Sequence, residues 1–159
     1  MDFPKRVYTE EEVTTARNLI DKGYKHRVQI DGSEAFKKKT GRISLLIKTA
    51  GFYDFFRTYI RRIKEIDGLT QLRQSEAEIW ANQYAVENAV DAASLFVQKA
   101  NQMKEYIEGE LYYGGEAEKR SFQKRKEFLE TLKKKSSDRK TVRECDRLLE
   151  LWKESSLIY

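Results

Sequence analysis

The spacing of apolar residues near the amino end predicts a helix followed by a strand. Thr9 and Glu12 have the spacing of a capping box, and apolar residues then recur at three- and four-residue steps until Gly23. From residue 24 to residue 31, apolar and polar residues alternate, which is the period of a half-buried strand. We therefore expect a first helix that ends at Gly23 and a strand over residues 24–31.

Helical spacing returns in the next segment. Ser33 or Asp31 can cap a helix that continues to Ala50, and Gly51 supplies its end. The residues expected to face inward from this helix are Ala35, Phe36, Ile43, Ile47 and Ala50. Residues 52–59 are rich in aromatic side chains and also have helical spacing.

Two segments in the middle of the chain can form strands. Residues 60–66 fit either a second strand or a continuation of the preceding helix. Residues 77–84 alternate between small or apolar and polar side chains. Their aromatic and β-branched content favours a third strand over a helix.

Three helices are expected after the third strand. Asn88 caps a long helix with a broad apolar face, a charged helix covers residues 116–134 after a pair of glycines, and a last helix follows Asp138. Cys145 lies on the apolar stripe of this last helix, so it is expected to be a small buried core residue.

Together these elements predict an α+β fold in which a small three-stranded sheet packs against about five helices. The length of 159 residues fits a single domain that covers residues 1–159. If residues 59–84 were helical, the chain would instead be an all-α bundle.

The composition combines ample apolar content with dense charge. Hydrophobic residues make up 40% of the chain, enough to build a core, and charged residues make up 36%, a density typical of thermophile surfaces. The net charge is +5, but 26 acidic residues interleave with 31 basic ones and weaken the attraction to polyanions. No apolar run approaches the roughly 20 residues of a membrane span, no signal peptide is apparent, and one cysteine fits a reducing compartment. We expect a soluble cytoplasmic protein without a membrane partner.

Residues for familiar catalytic chemistry are scarce. His26 is the only histidine and Cys145 the only cysteine, so a usual zinc site, a Ser-His-Asp triad and a Cys-His pair all lack members. His26 lies on an alternating strand pattern, which favours a packed histidine over a general base. No glycine-rich phosphate-binding motif is present. The residues alone therefore predict no catalytic group, metal or cofactor.

One segment combines basic and aromatic residues. Arg57, Arg61 and Arg62 interleave with or follow the aromatic side chains of residues 53–59, a mixture that can hold phosphates and stack on bases. The preferred interpretation is a helix or strand whose aromatic side belongs to the core, because so many exposed rings would promote aggregation. Anion binding by the three arginines is the alternative.

Five segments from residue 28 onward follow one another in a characteristic order. They read Val-Gln-Ile-Asp-Gly-Ser-Glu-Ala-Phe at 28–36, Tyr-Ile-Arg-Arg-Ile-Lys-Glu-Ile-Asp at 59–67, Ile-Trp-Ala-Asn at 79–82, Leu-Phe-Val-Gln-Lys-Ala-Asn-Gln at 95–102, and Tyr-Gly-Gly-Glu-Ala-Glu at 113–118, with Gln123 beyond. In this order they resemble the minigluzincins, a type of small zinc peptidase. The resemblance implies a zincin-like fold.

The same resemblance implies that the zinc-peptidase activity is absent from this chain. Such peptidases carry H-E-x-x-H, in which two histidines bind zinc and the glutamate deprotonates the zinc-bound water. Gln98, Lys99 and Gln102 occupy those positions here. Neutral amides are poor zinc ligands, and the lysine would place a positive charge beside the metal. The resemblance assigns Glu116 or Glu118 to the position of the third ligand.

We therefore expect a catalytically inactive relative of small zinc peptidases that acts as a binding or protein-interaction module. Its partner would be another protein or, in a homodimer, a second copy of the chain. Two alternatives remain open. One is a nucleic-acid-binding protein that uses Arg57, Arg61 and Arg62, and the other is a metal-independent hydrolase that uses Lys99 with Glu116 and Glu118.

Overall fold

Residues 2–156, the part of the chain that the computed structural model describes, form six α-helices and a four-stranded sheet. The helices are α1 (Glu10–Asp21), α2 (Glu34–Thr49), α3 (Tyr53–Tyr59), α4 (Ala89–Ile107), α5 (Gly115–Lys135) and α6 (Arg139–Ser156). The strands are β1 (Gln29–Asp31), β2 (Arg62–Glu65), β3 (Gln71–Arg73) and β4 (Glu78–Ala81), with a turn of 3-10 helix (Gln74–Glu76) between the last two. Within residues 2–156, no helix has both the length and the apolar character needed to cross a membrane.

This inventory confirms the α+β class. The all-α alternative is wrong, because residues 59–84 contain β2, β3 and β4. The helix starts lie where the capping residues predict them. Thr9 and Glu12 form both hydrogen bonds of the capping box at α1, the Ser33 hydroxyl accepts from the backbone N–H of Phe36 at α2, and the Asn88 side chain caps α4.

The sheet is mixed, with the strand order β1-β2-β4-β3. β1, β2 and β4 are parallel, whereas β3 pairs antiparallel with β4 at one edge. Ile63 of β2 is in register with Ile30 and Ile79 on its two neighbours, and this row continues to Leu72 of β3. All four side chains belong to the hydrophobic core or pack against it. The apolar face of the sheet is therefore the face on which the helices lie.

The sheet differs from the prediction in two ways. It has four strands rather than three, because β3 is only three residues long and has no apolar alternation that could reveal it. Its first strand is also shorter than predicted, since residues 24–28 do not pair in the sheet. β2 begins only at Arg62, so this stretch runs beside α3, where the backbone N–H of His26 donates to the carbonyl oxygen of Arg57 at 2.7 Å.

The core contains most of the side chains that the helical patterns place inward. Phe36, Ile43, Ile47 and Ala50 are buried, but Ala35 is exposed because it lies one position off the stripe that Phe36 begins. Among the aromatic residues 52–59, Phe56 is buried and the other rings pack against the core, which confirms their structural interpretation. Cys145 is fully buried, also as predicted.

Candidate functional site

A ladder of polar side chains joins α4 to α5. Its contacts are Arg125 with Asp91 Oδ1 (2.5 Å) and Ser94 Oγ (2.8 Å), Gln98 Nε2 with Ser121 Oγ (3.2 Å), and Arg120 with the two carboxylate oxygens of Glu105 (2.9 and 3.1 Å). The α4 members are separated by three, four and seven residues, so they share one face of that helix. These contacts are referred to below as the α4–α5 ladder.

Gln98, Lys99 and Gln102, which the sequence resemblance aligns with H-E-x-x-H, lie in or beside this ladder. Gln98 belongs to it, and its amide is used in a helix–helix contact. Lys99 and Gln102 are half-buried. Burial lowers the pKa of Lys99, the carboxylate of Glu118 opposes that effect, and the charge of Arg125 adds to it. Lys99 and Glu118 are thus near enough to interact electrostatically.

Glu116 does not join this group. Its carboxylate is 3.4 Å from the ammonium of Lys119, and both side chains are well exposed. Because residues two apart on a helix point in different directions, Glu116 and Glu118 do not face the same partner. The three side chains of a metal-independent hydrolase are therefore not gathered in one place.

The three arginines of the basic-aromatic segment also have separate roles. Arg57 pairs with Asp54 at 2.8 Å on the surface of α3. Arg62 lies on the sheet, where its Nη2 donates to the side-chain oxygen of Gln29 at 3.1 Å. Arg61 donates to three backbone carbonyl oxygens, those of Pro4 (2.9 Å), Lys5 (2.7 Å) and Glu76 (2.6 Å). Arg61 therefore anchors the amino-terminal segment and is not free to bind an anion.

The polar face of the sheet presents a denser group of charges. The strand register places Gln29, Arg62, Glu78 and Arg73 in one row and Asp31, Lys64, Trp80 and Gln71 in the next. Side chains alternate between the two faces of a strand, so these eight residues lie opposite the isoleucine row. All are exposed or half-buried except Glu78. This surface is referred to below as the open face.

Trp80 is the centre of the open face. Its indole ring has the ammonium of Lys64 at 5.1 Å and the guanidinium of Arg73 at 4.4 Å from the ring centroid, both within cation–π range. β2 and β3 flank β4 on opposite sides, so the two cations reach the ring from the two strands adjacent to β4. The indole N–H donates to Glu78 Oε1 at 2.9 Å, and Arg62 is 3.7 Å from the other oxygen of that carboxylate.

Lys64, Arg73 and Trp80 were not predicted as site residues from the sequence. The sequence did contain a pattern that indicates a polar face on β2 and on β4. Residues 62 and 64 alternate with core residues in β2, and residues 78 and 80 do so in β4. That alternation shows that each strand has a polar face. It does not show that β2 and β4 are neighbours, so the charged rows become visible only with the register.

The two residues most often used in nucleophilic or metal chemistry are both buried. His26 packs edge-on against the rings of Phe3 and Tyr24. Burial raises the pKa of Cys145 to about 11, which disfavours the reactive thiolate. In the part of the chain that the structure describes, no group of three or more His, Cys, Asp or Glu side chains is arranged to hold a metal ion.

Comparisons of the chain with protein-family models, with curated proteins and with solved structures gave no match.

Proposed function

We propose that the chain is a binding protein that performs no zinc hydrolysis, on a scaffold resembling that of small zinc peptidases, and that the open face binds its ligand. The observation that supports this proposal most directly is the arrangement of side chains around Trp80. Lys64 and Arg73 flank an aromatic ring on the side of the sheet that faces away from the core. Charged groups and an aromatic ring on one accessible surface are typical of binding sites.

The contacts of α4 support the absence of zinc chemistry. Gln98 is engaged by Ser121, and Lys99 adds a positive charge where a zinc peptidase needs a general base. A cavity of about 290 Å³ along α4 and α5 is lined by residues that include Asn101, Glu105 and Arg120, but not by Gln98 or Lys99. The former catalytic positions therefore contribute to helix packing in this proposal.

Zinc binding distinguishes a lost metal site from a site that never existed. The wild-type chain should retain well under one equivalent of zinc after exposure to the metal and gel filtration. A Gln98→His/Lys99→Glu/Gln102→His variant should retain about one equivalent, since two histidines one helical turn apart with Glu118 form a three-ligand site. Replacing Glu118 by Ala in that variant should remove the zinc. Atomic emission spectroscopy measures the metal content directly.

A matched control places two histidines on an exposed helical surface without a third ligand. Lys38→His/Arg42→His provides it, because both residues are exposed on α2 and are four positions apart. It should retain much less zinc than the triple variant. Wild-type protein that holds one equivalent of zinc, loses it on Glu118→Ala and hydrolyses labelled casein would contradict the non-catalytic proposal. A folded triple variant without zinc would contradict the zinc-peptidase scaffold alone.

A further inference from the structure

We infer that the ligand of the open face is single-stranded nucleic acid. This inference rests on the proposed function and specifies its ligand. The first observation is the spacing of the cations. Arg62 and Lys64 lie on β2 and Arg73 lies on β3, on either side of β4, and Arg27 lines a cavity of about 590 Å³ with Arg62 beside β1. Neighbouring strands are about 4.8 Å apart, so these cations form a patch on the order of 15 Å wide that a phosphate backbone can cross.

The carboxylates on the same surface leave this patch positive. Arg27, Arg62, Lys64 and Arg73 are accompanied by three acidic residues, Asp31, Glu76 and Glu78, and the carboxylate of Glu76 lies 3.8 Å from Nε of Arg73. Glu78 is only 7% exposed, and its two oxygens face the indole N–H of Trp80 and the guanidinium of Arg62. Because its charge is largely covered, Glu78 orients Trp80 and Arg62 and repels a polyanion only weakly. Asp31 is exposed, but it lies on the edge strand β1.

The aromatic ring distinguishes nucleic acid from other polyanions. An acidic peptide would use only the cations, whereas a nucleobase has a π-face that can stack on Trp80. A base that stacks on a ring face covered by Lys64 or Arg73 displaces that cation. Base stacking on an aromatic ring is stronger than an exposed cation–π contact, and the displaced cation becomes free to contact a phosphate. Duplex bases are already stacked on each other, so an aromatic ring on the surface of a sheet favours the single strand.

Fluorescence anisotropy with a labelled oligothymidylate tests the role of the cations. A Lys64→Gln/Arg73→Gln variant should bind an oligomer of about 20 nucleotides about tenfold more weakly than wild type at moderate salt. The slope of log affinity against log salt should become shallower by about 1.4, since each lost phosphate contact to a single strand contributes about 0.7. The control is Lys38→Gln/Arg42→Gln, which removes the same charge from the exposed surface of α2 and should bind like wild type.

The role of the ring is tested separately. Trp80→Leu should weaken binding about tenfold and leave the salt slope unchanged, because it removes stacking and no charge. Trp80→Phe keeps an aromatic face and should retain most of the affinity. Circular dichroism establishes that each variant is folded, and the charge variant carries the test if Trp80→Leu does not fold.

The outcomes separate this inference from the proposed function. Equal binding by the Lys64→Gln/Arg73→Gln variant and its control would overturn the assignment to the open face. If polyglutamate displaces the oligonucleotide as effectively as unlabelled oligothymidylate does, the nucleic-acid identity is overturned. The proposed function survives that result if the open-face variant also loses polyglutamate binding. Wild-type protein that binds neither polymer contradicts the nucleic-acid ligand and leaves the zinc measurements to decide on catalysis.

Discussion

Between about pH 6.5 and about pH 4, the free energy of unfolding of the wild-type chain should fall by about 3 kcal/mol more than that of a His26→Phe variant. His26 is 3% exposed, packs against Phe3 and Tyr24, and has no hydrogen-bond partner for its buried Nε2 in the described chain. Burial lowers the pKa of His26 to about 4, and the positive charge of Arg61 contributes a smaller part.

The direction of this change in stability depends on whether the folded or the unfolded state takes up the proton first. In the unfolded chain the histidine has a pKa of about 6.5, so acid protonates the unfolded state first and pulls the equilibrium towards it. The stability that the neutral His26 contributes is therefore complete above about pH 6.5 and is lost progressively as the pH approaches about 4. Urea unfolding at a series of pH values measures the effect. Carboxylates titrate in both proteins, so the difference between the two curves is informative, and parallel curves would refute the prediction.

Replacing Arg61 by Lys should destabilise the chain by about 2 to 4 kcal/mol, although the charge is kept. The guanidinium of Arg61 donates to the carbonyl oxygens of Pro4, Lys5 and Glu76, and its planar fork reaches all three. An ammonium group cannot match that geometry, so half-buried carbonyl groups would lose their partners. Thermal and urea unfolding measure the loss.

The neighbouring arginine supplies the matched control. Arg62→Lys changes the same residue type in a position where the side chain is partly exposed and has its polar contacts with the side chains of Gln29 and Glu78. Pairs of this kind contribute little, so the loss should be under about 1 kcal/mol. If the two substitutions destabilise the chain equally, Arg61 is not the anchor of the amino-terminal segment.

Local signals in the sequence were sufficient to predict most of the helices. The caps at Thr9, Ser33 and Asn88 involve hydrogen bonds that span three residues, so the information needed to recognise them lies within one helical turn. The shared face of Gln98 and Gln102 likewise follows from a four-residue spacing on one helix. Both are properties of a short stretch of chain.

Contacts between distant segments could not be predicted in the same way. The partner of Gln98 is Ser121, twenty-three residues further along the chain. β3 becomes a strand only by pairing with β4, because Gln71, Leu72 and Arg73 have no strand pattern of their own. The rows of the open face require the register of four strands, and that register is set by tertiary packing. The sequence therefore predicted a candidate site on α4, whereas the candidate site suggested by the structure is the open face of the sheet.

Mapping the ligand-contacting residues by nuclear magnetic resonance tests the central claim most directly. On titration with oligothymidylate, the backbone amide signals of β2, β3 and β4 and the indole N–H signal of Trp80 should shift, while those of the α4–α5 ladder should not. The indole signal is specific because Trp80 donates that proton to Glu78, a hydrogen bond that a stacking base would perturb. Shifts confined to Gln98, Lys99 and Glu118, with an unchanged Trp80 signal, would contradict the account and place the binding site at the α4–α5 ladder.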